Sequence, residues 1–149
     1  MNEEFEGCRI ALVPSSDCST LWPVVRPLLK SAVGQSNGRW TLQNVLETLV
    51  TGKQQLWVIY EADGNITSAY TTIVSEYPNG KFLGIQFMGG KNFLEWGEEG
   101  WEMLKKFALE HDCMGVEAIG RAGLRKHAKR AGFVQRYFVY EHLIERTLQ

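Results

Sequence analysis

The chain has 149 residues and a net charge of −1, with 44% hydrophobic and 22% charged residues. This length and composition fit a single soluble domain over residues 1–149, large enough to bury a core without disulfides or metals. The charge is too small for a general affinity for nucleic acid or for an anionic membrane surface.

The spacings of the cysteines and histidines argue against a disulfide framework and against a metal site. Cys8, Cys18 and Cys113 form an odd set without close spacing, which favours a reducing, cytoplasmic location over a disulfide framework. His111 and His142 have no partner at metal-ligand spacing, so the sequence predicts no metal site. No apolar run approaches the roughly 20 residues that span a bilayer.

A strand over residues 9–13 and a helix come first. Ser16 or Asp17 can cap the helix. Pro27 predicts either a kink or a late start for this helix. Its spacing predicts an apolar face made of Leu21, Trp22, Val25, Leu28, Leu29 and Ala32.

A second helix and three antiparallel strands follow. Thr41 is a good N-cap for the helix and Gly52 a good end for it. The strands are predicted over residues 56–61, 66–77 and 81–88, joined by tight turns at Asp63-Gly64 and Asn79-Gly80. The predicted inward face of the helix comprises Leu42, Val45, Leu46, Leu49 and Val50.

After these strands the hydrophobic period changes. The pattern predicts a helix over 93–110, a strand over 114–119, a short helix over 124–131 and a last strand over 133–144. The summed order is β-α-α-β-β-β-α-β-α-β. A meander followed by a β-α-β unit is an α+β arrangement.

Several short motifs are spread along this order of elements. They are Trp22-Pro23, Gly38-Arg39-Trp40-Thr41-Leu42, Gln55-Leu56-Trp57-Val58, Gly89-Gly90 before a helix with Trp96, and Ile119-Gly120-Arg121-x-Gly123 before Gly132-Phe133. The element order resembles the GNAT (Gcn5-related N-acetyltransferase) fold, a mixed and mostly antiparallel sheet flanked by helices. The motifs more narrowly resemble small GNAT-like proteins of tailed phages and prophages.

The resemblance implies an acetyl-CoA site in a splay between the fourth and fifth predicted strands. A helix N-terminus suits a pyrophosphate because its free N–H groups carry a partial positive charge. The resemblance would place the pantetheine arm on Gln86, Phe87 and Met88, and the pyrophosphate on Gly89, Gly90, Lys91 and Asn92. The implied activity is acetyl transfer to an unidentified amine.

The chain departs from the family pattern in two places. The usual loop reads Arg or Gln, two residues, Gly, one residue, then Gly or Ala, whereas this chain has Gly89-Gly90-Lys91-Asn92-Phe93-Leu94. Many members have a tyrosine that reprotonates the thiolate where Ala128 stands, and alanine cannot donate a proton. Carboxylates that would compete with a phosphate for the helix dipole follow the loop: Glu95, Glu98, Glu99 and Glu102.

Three residues are candidates for the proton transfers. Glu117 on the fifth predicted strand is the candidate general base, although the alternation of that strand favours an ordinary polar-face residue. Tyr137 and Tyr140 of the last predicted strand are the candidates to replace the missing acid.

Two functions stay open at this stage. One is an acetyl-CoA-dependent N-acetyltransferase that acts on an amine substrate. The other is an inactive GNAT-like scaffold, serving as a phage virion component at a head–tail junction or as an effector that binds a host protein. The second would need a phage or host protein partner and assembly as an oligomer or in the virion, and its location would be the host cytoplasm or the virion. A cleft beside Phe87 and Met88 that reaches the Gly89 and Gly90 amides would favour the enzyme.

Overall fold

The computed structural model describes residues 3–5, 8–91, 93–120 and 125–145, with side chains for residues 9–91, 97–120 and 125–145. The chain divides into two units, Met1–Ile119 and Gly120–Gln149, which are considered one at a time. The single domain predicted over residues 1–149 stays a prediction.

Unit 1 is built on a six-stranded mixed sheet. The strands lie in chain order from β1 to β6, and all neighbours are antiparallel except β5 and β6, which run parallel. The three predicted strands of the meander are confirmed, and the short β1 that pairs with β2 was missed. The strands are β1 Glu3–Phe5, β2 Cys8–Val13, β3 Gln54–Glu61, β4 Ile66–Tyr77, β5 Gly80–Gly90 and β6 Cys113–Ala118.

Three helices flank this sheet: α1 Cys18–Gly34, α2 Leu42–Val50 and α3 Phe93–Glu110. The predicted cap of α2 is confirmed, because Thr41 Oγ1 accepts from the Asn44 amide at 3.1 Å and Asn44 Oδ1 accepts from the Thr41 amide at 2.9 Å. The predicted inward position of Val50 is wrong, since this last helical residue is 41% exposed.

Helix α1 runs through both of its prolines. A late start after Pro27 is therefore wrong, and the helix begins at Cys18 after a 3₁₀ turn over Ser15–Asp17. Each interior proline removes a backbone hydrogen bond. Burial of Val25 and Leu29 against the sheet outweighs that cost.

The sheet separates two hydrophobic cores. On one face, α1 and α2 pack on residues such as Leu56 and Val58 of β3. On the other face, α3 packs through Leu104 and Phe107 on residues such as Trp57. This alternation along β3 gives a three-layer arrangement in which both faces of the central strands are buried.

Unit 2 contains the short helix α4, Arg125–Arg130. Its end is formed as predicted by Gly132, which has φ +90°, and by a bond of 2.9 Å from the Phe133 amide to the Ala128 carbonyl. The predicted start at Leu124 lies outside the described residues.

The predicted last strand over 133–144 is wrong, since residues 133–145 form neither helix nor strand. Alternation of apolar residues indicates which faces a strand would have, but a strand also needs a backbone partner.

Among the described helices of both units, none is long and apolar enough to cross a membrane.

Candidate functional site

Pairing between β5 and β6 covers only the first half of β5, because β6 ends at Ala118. Their parallel register begins with Lys81 opposite Cys113 and ends with Ile85 opposite Ala118. Strand β5 then continues to Gly90 with β4 on its other side, and no described strand pairs with its β6-facing edge. The predicted pantetheine edge, Gln86 to Met88, therefore lies on the half of β5 that β6 does not reach.

A β-bulge in β5 directly follows the last residue that pairs with β6. The β4–β5 register passes from Thr72 opposite Ile85 to Tyr70 opposite Met88, so two residues of β5 face the single residue Thr71. A bulge bends its strand and increases the local twist.

The bulge reverses which core the β5 side chains enter. Leu83 lies in the α3 core, Phe87 lies in the α1–α2 core, and Met88 packs against the α3 core again. The Phe87 amide donates to the buried Thr71 Oγ1 at 3.2 Å, and the Phe87 ring meets the edge of Trp40 at 5.9 Å between centroids. The neighbouring side chains of Phe87 and Met88 therefore pack against opposite cores.

We expect Thr71→Val to destabilise the bulge. Valine keeps the shape of threonine but leaves the buried Phe87 amide without its acceptor, which costs about 1–3 kcal/mol. Urea unfolding followed by circular dichroism measures the loss. The control Thr51→Val, at an exposed helix end, should change stability by less than about 0.5 kcal/mol. Equal losses in the two variants would show that the Thr71 hydroxyl does not support the bulge.

The two glycines after the bulge are required by packing. A Cβ atom on Gly89 would overlap the Leu28 carbonyl oxygen of α1, and one on Gly90 would overlap Ser68 of β4. Gly90 also has φ +123°, which side chains rarely adopt. Packing against α1 and β4 therefore explains both glycines without a ligand.

The main chain of Lys91 is held by β4. Its amide lies 2.9 Å from Ser68 Oγ and 3.3 Å from the Thr67 carbonyl, and its carbonyl accepts from Ser68 Oγ at 2.7 Å. This amide is therefore engaged within the protein, while the Lys91 side chain is exposed. Asn92, the last residue of the predicted phosphate loop, lies outside the described residues.

The start of α3 follows this turn directly. Its backbone is helical from Phe93, so its first amides have no partner within the helix. Of the glutamates that were expected to compete with a phosphate, Glu98 and Glu102 are exposed, and Glu102 pairs with Lys105 at 2.8 Å. The Glu95 side chain lies outside the described ones.

Glu117 occupies β6 opposite Gly84, one residue before the last paired position. It is half-buried, and its Oε1 accepts from the Tyr77 hydroxyl at 2.7 Å. The Tyr77 ring in turn meets the edge of Phe82 at 5.7 Å. The candidate base is therefore next to the end of the β5–β6 pairing, but it is engaged by a hydroxyl from the β4–β5 hairpin that sequence reasoning had missed.

The remaining candidates belong to unit 2. Tyr137 and Tyr140 are 74% and 89% exposed and lie in the segment without helix or strand. Ala128 lies on α4, as its alignment with the family had implied. Unit 1 alone brings together the β5 edge, the glycine turn and Glu117.

Two shallow clefts lie elsewhere in unit 1. One, of about 330 Å³, is formed by the ends of β2 and β3 and by His111, and the other, of about 290 Å³, lies between α3 and β6. Residues 86–90 line neither cleft, so neither is the cleft beside Phe87 and Met88 that would favour the enzyme. Across the part of the chain that the structure describes, no group of three or more His, Cys, Asp or Glu side chains could hold a metal ion.

A mixed, mostly antiparallel sheet flanked by helices, in which a bulged strand ending in two glycines precedes a helix, is the GNAT fold. Solved structures with this fold match nearly the whole chain. Glucosamine-6-phosphate N-acetyltransferase from Arabidopsis thaliana superposes with a TM-score of 0.63 at 17% identity, over 94% of this chain and 100% of that one.

Two further solved structures give the same result. An aminoglycoside acetyltransferase from an uncultured soil metagenomic sample, in complex with sisomicin, has a TM-score of 0.69 at 13% identity, over 94% and 97% of the two chains. Ribosomal-protein-alanine N-acetyltransferase from Brucella melitensis biovar Abortus 2308 has a TM-score of 0.65 at 13% identity, over 93% and 99%. At these identities the likeness establishes the fold alone. No protein-family model and no curated protein sequence matches the chain.

Proposed function

We propose that this protein is an N-acetyltransferase that binds acetyl-CoA between β5 and β6. The observation that carries the proposal is the end of β5–β6 pairing at Ile85 and Ala118, which leaves the edge of β5 from Gln86 to Gly90 without a described strand beside it. The similar structures named above are acetyltransferases, which supports the same general activity. Their names specify three different acceptors, so the acceptor amine stays open.

The open edge of β5 suits the pantetheine arm. A strand edge offers alternating N–H and C=O groups, and the amides of a pantetheine chain can pair with them as an added strand would. Gln86, Phe87 and Met88 would supply this edge. The first amides of α3 would hold the pyrophosphate, aided by the exposed Lys91 ammonium. Because the Lys91 amide is engaged by Ser68, the turn would contribute fewer donors than the sequence predicted.

The proton transfers are proposed on three side chains. Bound acetyl-CoA would supply an activated acetyl group for direct transfer to the amine. Glu117 would take a proton from the acceptor ammonium, after the Tyr77 hydroxyl gives up its bond. Tyr137 and Tyr140 of unit 2 stay the predicted candidates for the acid that Ala128 cannot supply. The free Cys18 and Cys113 thiols accord with the cytoplasmic location that we propose.

Calorimetric titration with acetyl-CoA tests the proposal. We expect binding below about 1 mM, the range in which a specific site is worth more than about 4 kcal/mol. Lys91→Glu should weaken binding about tenfold or more, because it puts a negative charge beside the proposed pyrophosphate site. Lys53→Glu makes the same charge change at an exposed turn and should have little effect. Absence of binding by the natural protein at millimolar acetyl-CoA would overturn the proposal.

A second candidate function is a GNAT-like scaffold of the phage type that has lost its chemistry. Two features favour it. The Lys91 amide already donates to Ser68 within the protein, and Ala128 stands where many family members have a tyrosine. Both features remove groups that the family uses. Such a protein would serve as a virion component at a head–tail junction or would bind a host protein, as an oligomer or within an assembly. If the gene lies in a phage, mass spectrometry of purified particles should detect the protein. Absence of the protein from the purified particles would overturn the proposal that it is a virion component.

A further inference from the structure

We infer that Ser68 is a positioning residue for the pyrophosphate part of acetyl-CoA, acting through the turn between β5 and α3. The inference rests on the proposed function. Ser68 is fully buried on β4, directly opposite Gly90, and sequence reasoning gave it no role. It holds the turn without touching the ligand.

The hydroxyl of Ser68 bonds to both backbone groups of one residue. Its oxygen accepts from the Lys91 amide at 2.9 Å and its proton goes to the Lys91 carbonyl at 2.7 Å. Only a group that both donates and accepts can make this pair of bonds. Because these bonds are largely shielded from water, they fix the Lys91 peptide groups more strongly than exposed bonds would.

The neighbouring glycines make this contact fit. Gly90 lacks the Cβ atom that would overlap Ser68, and Gly89 lies beneath the Leu28 carbonyl of α1. The end of β5 that leads into the turn is therefore held by β4 on one side and by α1 on the other. Helix α3 begins two residues after Lys91, so the orientation of its first amides depends on this turn. Loss of the Ser68 hydroxyl would let those amides move relative to the open edge of β5.

Comparing the affinities of two ligands distinguishes a role of Ser68 in positioning the pyrophosphate site from a general structural role. We expect Ser68→Ala to raise the Kd for acetyl-CoA about tenfold. The Kd for S-acetylpantetheine, which lacks the pyrophosphate and the nucleotide, should change less than about twofold because the β5 edge is unaltered. The control Ser75→Ala, at a half-buried position further along β4, should change neither value. Equal weakening for both ligands, or no weakening for either, would overturn the inference.

Amide hydrogen exchange tests the turn without any ligand. In Ser68→Ala the Lys91 amide should exchange at least about tenfold faster, since it loses its principal acceptor. Unchanged exchange would overturn the inference even if acetyl-CoA binds. If the natural protein binds neither ligand, the proposed function fails and the ligand part of this inference fails with it. Faster exchange in that case would still establish that Ser68 fixes the turn.

Discussion

Gly89→Ala should lower the free energy of unfolding by about 3 kcal/mol or more. The added Cβ would overlap the carbonyl oxygen of Leu28, which is backbone of α1 and cannot rotate away as a side chain could. Either α1 or the end of β5 must move, and Phe87 beside it is buried in the same core. Urea unfolding followed by circular dichroism gives the value.

Gly34→Ala is the matched control. Gly34 is the last residue of α1, and a Cβ there would have no atom within 4 Å. Its stability should change by less than about 1 kcal/mol, and alanine favours the helix. The outcome also decides between two roles for Gly89. A glycine kept only for ligand approach would lose acetyl-CoA binding on substitution but keep its stability, and that result would contradict the packing role.

The sequence predicted the elements whose signals are local. Thr41 and the residue three positions later form a capping box, and a turn joins each pair of strands as expected. The second turn is Pro78-Asn79 and not Asn79-Gly80, because Gly80 already pairs with Tyr77. Helix α3 has the predicted bounds, because its apolar residues repeat at helical spacing over five turns. Each of these features depends on residues a few positions apart, which a single sequence displays.

The features of the site that were not predicted depend on residues far apart in the chain. Thr71 supports the bulge at Phe87 across 16 positions, Ser68 bonds to Lys91 across 23, and Tyr77 reaches Glu117 across 40. No spacing rule joins such pairs until the strand register is known. Once the hairpin register is fixed, period two does place Tyr77 and Glu117 on one face of the sheet.

The glycine pair has a role in packing that the sequence did not predict. Gly89 and Gly90 stand where the family resemblance placed a phosphate loop, and they are the last two residues of β5. Their missing side chains are explained by Leu28 and Ser68, which no local pattern could indicate. The proposed pyrophosphate site therefore depends on how α3 is held against the sheet, and Trp57 is central to that contact.

Trp57→Ala should lower the free energy of unfolding by about 3–5 kcal/mol, as expected for a large cavity in a core. Trp57 is 2% exposed, stacks on Tyr70 at 5.7 Å and meets the edge of Phe107 of α3 at 5.4 Å. Its Nε1 donates to Thr72 Oγ1 at 3.0 Å, and that hydroxyl donates to Gln55 at 2.8 Å.

Trp57→Phe separates the ring contacts from the hydrogen bond. Phenylalanine keeps an aromatic surface against Phe107 and removes the donor, while Thr72 keeps its own bond to Gln55. We expect it to cost about 1–2 kcal/mol, clearly less than alanine. If Trp57→Ala costs less than about 1 kcal/mol, this contact does not hold α3 to the sheet. A helix so weakly held could not present its first amides in a fixed position beside β5, and the proposed acetyl-CoA site would lose its physical basis.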